Sequence, residues 1–134
     1  MLSVSRRAVA GLLAAALVAL LSGCGASPMR IQITIHYSHY DPSRLTVPHG
    51  VPVIFVITNT DPIDHEWIVG DAALHERHRT GTEPVHDTRP TELSLDAGTS
   101  RRTVVTFNEP GSLTFICHLP GHEAYGMVGT LTIR

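Results

Sequence analysis

Leu113–Ile133 reads L-T-F-I-C-H-L-P-G-H-E-A-Y-G-M-V-G-T-L-T-I. Leu113–His118 and Met127–Ile133 have the apolar content and alternation of strands, and a Pro-Gly turn lies between them. The connection carries Cys117, His118, His122 and Met127 within eleven residues. Three chemistries are compatible with it: a metal site, a cysteine nucleophile with His122 as base, or an ordinary bend between buried strands. A nucleophile needs an orienting third residue and an oxyanion hole. The sequence supplies neither, and Met127 has no part in such a site.

Moving outward, Ile31, Ile33 and Ile35 alternate with Gln32, Thr34 and His36, the period of a half-buried strand. Leu45–Val47 is a second short run, closed by Pro48-His49-Gly50. Val51–Thr58 is continuous and β-branched, as expected of a central strand with Pro52 near its start. Asn59–Asp64, N-T-D-P-I-D, is turn chemistry, and His65–Val69 opens another strand with Trp67 in the core. Thr103–Phe107 follows, and Glu109-Pro110-Gly111 turns into Leu113. About seven short strands with Gly, Pro, Asn and Asp punctuation predict an all-β, Greek-key β-sandwich over residues 31–134. One long insert, residues 71–98, interrupts it. Ala72–Arg79 has the length of about two helical turns, and the rest of the insert is polar and proline-bearing. A connection this long is either functional or mobile.

The start of the chain reads as a leader. Arg6 and Arg7 precede an uncharged run, Ala8–Leu21, and Leu21-Ser22-Gly23-Cys24 follows at once. Those fourteen apolar residues fall short of the roughly 20 needed to span a bilayer; a retained anchor would need the weaker tail through Met29. The tetrapeptide resembles the lipobox of bacterial lipoproteins. It implies a signal peptide over residues 1–23, a lipid on Cys24, a tether over 24–30, and export to the outer face of a membrane. Ser5-Arg6-Arg7 also resembles part of the twin-arginine export signal, the alternative to the general secretory route. Removing residues 1–23 takes two arginines and no acid. Eight arginines then face twelve carboxylates, a net charge of −4 against −2 for the whole chain. Such a domain has no electrostatic footprint for nucleic acid. With Cys24 acylated, Cys117 is the only thiol left and no internal disulfide can form.

An unpaired cysteine beside histidine and methionine points to copper. Thiolate and thioether sulfur suit the cuprous ion and imidazole suits both copper oxidation states, whereas zinc rarely accepts a thioether. Cys117, His122 and Met127 need one more ligand from a neighbouring strand, and His65, at the head of its strand, is the candidate. His118 adjoins Cys117, so on a strand it faces the other way. His75 and His78 lie three apart, on one face if their segment is helical. With His86 they could hold a second metal ion or simply form a solvated loop.

These residues carry a family resemblance. The pattern F-x-x-P-G-x-L-x-F-x-C-H-x-P-G-H-x-x-x-G-M-x-G-x-L-x-I, from Phe107 to Ile133, resembles the cupredoxins, the plastocyanin, azurin and auracyanin family. D-P-S-R-L-T-V-P-H-G-V-P-V-I-F-V-I-T-N-T, Asp41–Thr60, is similar to the family's entry strands. The resemblance covers the mature domain and implies one type-1 copper, with His65, Cys117 and His122 as ligands and Met127 in the axial position. It also implies one-electron transfer and a redox partner docking on an apolar patch that includes Leu119 and Pro120 beside His122. Glu66 departs from the asparagine usual after the first histidine, a position that ties the two ligand loops together. The alternative function is an exported copper carrier, buffer or resistance protein without redox duty. A monomer is expected, and no enzyme, because a second catalytic copper would need histidines from a partner subunit.

Overall fold

The computed structural model describes residues 27–82 and 87–134. Its first strand, β1 (Met29–His36), buries Ile31, Ile33 and Ile35 and exposes the residues between them. It begins at Met29, inside the stretch read as a tether, because Met29 and Arg30 already pair with Val53 and Ile54 of β4 (Pro52–Asn59). A two-residue turn, Tyr37 and Ser38 at φ 51° and 55°, sends the chain back as β2 (His39–Asp41). β3 (Arg44–Val47) leads into β4, which lies between β1 and β7 (Ser100–Thr106). The sheet order is β2-β1-β4-β7, with β1 parallel and β7 antiparallel to β4.

The second sheet carries the chemistry. Its order is β3-β9-β8-β5-β6, from β5 (His65–Gly70), β6 (Glu92–Leu95), β8 (Gly111–Ile116), β9 (Val128–Ile133) and β3. β8 and β9 are the two runs around the cysteine loop, paired antiparallel from Gly111↔Ile133 to Ile116↔Val128. Both stop one or two residues short of the sequence expectation, which frees Cys117, His118 and Met127 to take loop geometry. The two sheets close as a β-sandwich on Ile33, Ile35, Val53, Phe55, Ile57, Trp67, Leu95, Phe115 and Leu131. Each strand offers one apolar face to that layer, as its alternation requires.

β5 is the exception, buried at every residue. Trp67 and Val69 belong to the inner core cluster, whereas Ile68 is fully buried outside it. The insert accounts for this. It forms α1 (Ala72–Arg79), with Asp71 as N-cap accepting from the Leu74 N–H at 2.8 Å, and then edge strand β6 against β5. α1 packs over the start of the insert so closely that a Cβ on Gly70 would meet Leu74 at 2.8 Å. Among its described residues the insert is therefore part helix and part strand rather than a loop. β6 escaped the sequence reading because a four-residue edge strand in a polar context has little periodicity.

Gly129 opposes Phe115 in the β8–β9 ladder, and a Cβ there would lie 2.0 Å from the Phe115 ring, which has no exposed surface. Gly129→Ala is therefore expected to destabilise the domain by about 2–3 kcal/mol through overpacking. Urea denaturation of the two proteins under identical copper-free conditions would measure the difference.

Candidate metal centre

Asn59, at the end of β4, fixes the turn that precedes the first ligand. Its Nδ2 donates to the carbonyls of Ile63, Leu95 and Asp96, and its Oδ1 accepts from the Asp61 N–H. The turn so held aims Asp61 inward. One Asp61 oxygen accepts the Tyr37 N–H and the other the Ser38 N–H, each at 2.7 Å, and the latter also meets His65 Nε2 at 2.9 Å. Since a carboxylate accepts, His65 Nε2 is the protonated nitrogen and Nδ1 keeps its lone pair. Asp61 is the functional residue that the sequence reading passed over as turn chemistry. Its only signal was a carboxylate four residues before a candidate ligand.

The second loop folds on its own backbone. The His122 N–H donates to Leu119 O, Met127 N–H to His122 O, and Cys117 N–H to Met127 O. Gly121 and Gly126, at φ 85° and 95°, supply conformations that a side chain would resist. His122 Nδ1 comes to 3.1 Å from His65 Nδ1 and 3.3 Å from Cys117 Sγ. One donor atom from each of the three residues lies within 4.8 Å of the others. His65 and Cys117 are buried and His122 is half-buried. Met127 is fully buried and held through its backbone between His122 and Cys117.

Glu66 joins the two loops. Its N–H donates to Cys117 Sγ at 3.3 Å, and its carboxylate accepts the His118 N–H at 3.2 Å. The carboxylate thus makes the cross-loop bond that the resemblance assigns to asparagine, and the departure at this position leaves the tie in place. The Tyr40 hydroxyl donates to the Glu66 carbonyl from within the core. Burial raises the Tyr40 phenol well above its ordinary value, with Cys117 and Glu66 adding to the effect.

The electrostatics suit a cation. Burial pushes the Cys117 thiol up to about 11, although backbone N–H groups of Leu119 and Glu66 pull it down. The metal-free thiol is therefore protonated at neutral pH, and metal binding must displace that proton. Burial lowers His65, partly offset by Asp61, so its imidazole is neutral and able to ligate. Burial works against the Asp61 carboxylate, but the Ser38 and Tyr37 N–H groups and the His65 ring outweigh it and hold Asp61 below the ordinary value. One thiol and two imidazoles converging with buried lone pairs, and a thioether beside them, are the donors copper prefers and hard cations do not.

A sandwich with such a centre at one end of its sheets defines a cupredoxin, a copper-binding β-sandwich domain. The chain matches the profile of copper-binding proteins of the plastocyanin/azurin family over residues 28–134, and it belongs to that family. Its cofactor is copper. The chain is 35% identical over 98 residues to a copper-resistant cuproprotein CopI of Rubrivivax gelatinosus, covering 71% of this chain and 59% of that protein. It is 27% identical over 137 residues to a protein of the same description from Pseudomonas aeruginosa, covering 78% and 75%. Dithionite-reduced auracyanin from Roseiflexus castenholzii has the same fold, with a TM-score of 0.67 at 24% identity over 81% of this chain and 98% of its own. The chain thus spans less than two thirds of the Rubrivivax protein's length.

The remaining expected sites divide. Cys24 and His86 lie outside the described residues. His75 and His78 do not point into solvent: His75 is 1% exposed and meets His118, whose side chain is 5% exposed. Burial first, then the neighbouring His75 and His78, lower His118 to about 4. Burial lowers His75 as well. A histidine depressed in the folded state stays neutral there while the unfolded chain takes a proton below about 6.5. Stability therefore rises with pH across this window. The metal-free domain should lose up to about 3 kcal/mol of stability as pH falls from 6.5 toward 4. Thermal unfolding of metal-free protein across that range would show it, and His118→Gln should flatten the profile.

Proposed function

We propose that this domain is a one-electron carrier, cycling copper between its cupric and cuprous states in an extracytoplasmic compartment, tethered by a lipid on Cys24. The observation that supports this most is the prior fixing of the donor atoms. His65 is held by Asp61, Cys117 by the Glu66 N–H, and His122 by the loop backbone, all before any metal is considered. Bound copper supplies a centre that accepts and returns a single electron. The chain's own part is to keep the donor positions unchanged in both states, so that little has to reorganise. In this reading His65, Cys117 and His122 would hold the ion, and Met127, buried beside them, would offer its thioether as a further ligand.

The surface around His122 fits an exchange role. Ser38, Ile63, Pro120, Gly121, His122 and Tyr125 line a shallow groove, with Ile63 and Tyr125 largely exposed. His122 is the one member of the three-donor cluster that is not buried. Leu119 packs partly into the core, so the patch offered to a redox partner is formed by Ile63, Pro120 and Tyr125 more than by Leu119. The domain acts as a monomer in this reading and has no enzymatic step of its own.

A second reading, a copper-resistance protein that sequesters or passes on copper, draws on the description of the Rubrivivax and Pseudomonas relatives. Voltammetry separates the two. An electron carrier shows one reversible wave per chain and an intense sulfur-to-copper absorption that disappears in Cys117→Ser. A copper-loaded domain with no such absorption, or with an irreversible wave, would sink the electron-carrier reading.

A further inference from the structure

The two residues that follow β8 face opposite ways. Cys117 turns inward to the copper centre, and His118 turns to the outer side of the sheet, beneath α1. His118 Nε2 lies 2.9 Å from His75 Nδ1. The His78 ring stacks on His118 with centroids 5.1 Å apart and planes at 21°. Three imidazoles from two elements thus meet in a buried space separate from the Cys117 centre.

The ring nitrogens are arranged as ligands are. His75 Nε2 meets the Thr114 carbonyl at 3.2 Å, and His78 Nδ1 meets the Leu74 carbonyl at 3.0 Å. A carbonyl only accepts, so each of those nitrogens carries the hydrogen. The lone pairs are left on His75 Nδ1 and His78 Nε2. This is the outer support typical of metal-bound histidine, a ring N–H donated to a carbonyl or carboxylate. The copper centre shows the same pattern: His65 Nε2 on Asp61, with Nδ1 3.1 Å from its partner imidazole. With those tautomers, His118 Nε2 donates its hydrogen to His75 Nδ1 in the metal-free state, and metal binding would move that hydrogen to His118 Nδ1, beside Glu123 Oε2. Replacing the bridging hydrogen with a metal ion at about 2.0–2.1 Å from each nitrogen needs the pair to open only to about 3.3 Å. His78, three residues on along α1, can turn its Nε2 toward the same point.

We propose that His75, His78 and His118 form a second metal site for one imidazole-preferring transition-metal ion, copper in a protein of this family. All-nitrogen sites suit copper and zinc, and copper binds the more tightly of the two. The site is open to a cleft lined by His78, Arg79, His118, Leu119, Glu123 and Ala124. Arg79 repels an incoming cation less than its charge suggests, because it is paired bidentately with Glu123 at 2.5–3.1 Å. Glu123 Oε2 also lies 3.7 Å from His118 Nδ1, which places a carboxylate at the edge of the cluster. The histidines come from this chain's own insert and from the loop after β8, so no partner subunit is needed.

The test is a copper count per chain after equilibration with cupric ion and removal of loosely bound metal, together with paramagnetic-resonance spectra. Wild type should retain two ions. His75→Asn should retain one and keep the sulfur-to-copper colour, which reports that the variant is folded. Cys117→Ser should also retain one, with a colourless spectrum of nitrogen-ligated cupric ion. His78→Gln, at a half-buried position, should weaken the second ion at least tenfold. One ion in wild type, or two in both His75→Asn and His78→Gln, overturns the proposal; the latter result would assign the extra copper to surface histidines. Neither result bears on whether the Cys117 centre cycles, so this proposal and the electron-carrier reading fail separately.

Discussion

The centre depends on the bond between the start of β5 and the loop that follows β8. Glu66 supplies both halves of it, its N–H to Cys117 Sγ and its carboxylate to the His118 N–H. A thiol among apolar side chains has no reason to point at two imidazoles. It does so here because a backbone donor from the neighbouring strand fixes its sulfur, and because the next amide is pinned across the same gap. The ladder behind it is short, Ile68↔Ile116 to Gly70↔Thr114, so the Glu66 bonds extend the β5–β8 pairing past the point where regular pairing stops. Buried bonds of this kind resist loss because a backbone donor left unsatisfied there would carry its desolvation cost.

The same constraint explains the shape of the insert. With β5 locked between β8 and β6, its outer face carries Glu66 and Ile68, which cannot be left bare beside a buried thiol. β6 pairs along its edge, α1 packs at its Gly70 end, and β5 is buried at every residue. Covering an apolar strand face with a helix is ordinary packing. What is specific here is that the covering helix is polar and brings histidine, not leucine, to the point nearest His118. An eight-residue helix with His75 as its buried residue contributes little hydrophobic stabilisation, so the imidazole contacts carry more of the attachment.

Much of this was legible in the sequence, and what was missed follows a physical rule. His65, Cys117, His122 and Met127 could be picked out because soft and borderline ligands gathered at one loop suit few chemistries besides copper, and because strand alternation places them at one end of a sandwich. The core strands were legible because Ile31, Ile33 and Ile35 have the period of the fold and Val51–Thr58 is a continuous β-branched run. β2 and β6 were not: three or four residues at a sheet edge carry no period, and their pairing is decided by turns such as Tyr37-Ser38 whose positive φ angles the sequence does not advertise. Asp61 and Glu66 illustrate a second kind of loss. A carboxylate in a turn or at an unexpected position has many ordinary uses, and only the distances to His65 and to the His118 amide distinguish them.

His118 joins both kinds of information. Alternation along the strand correctly sets it opposite Cys117, but what lies opposite depended on where 71–98 folds, and that segment has no pattern strong enough to place it. The loss of a charged form at His118 follows from the packing: burial first, then the neighbouring His75 and His78 rings, disfavour its imidazolium. Burial lowers His75 as well, and with its Nε2 anchored on the Thr114 carbonyl its Nδ1 is directed at His118 Nε2. Cys117 and His118 are consecutive, so a single peptide unit separates the inner, sulfur-bearing cluster from the outer, all-nitrogen one. The His118 amide that Glu66 holds is that unit. Glu66 thus bonds on both sides of that unit, its N–H to the inner sulfur and its carboxylate to the amide that leads into the outer ring.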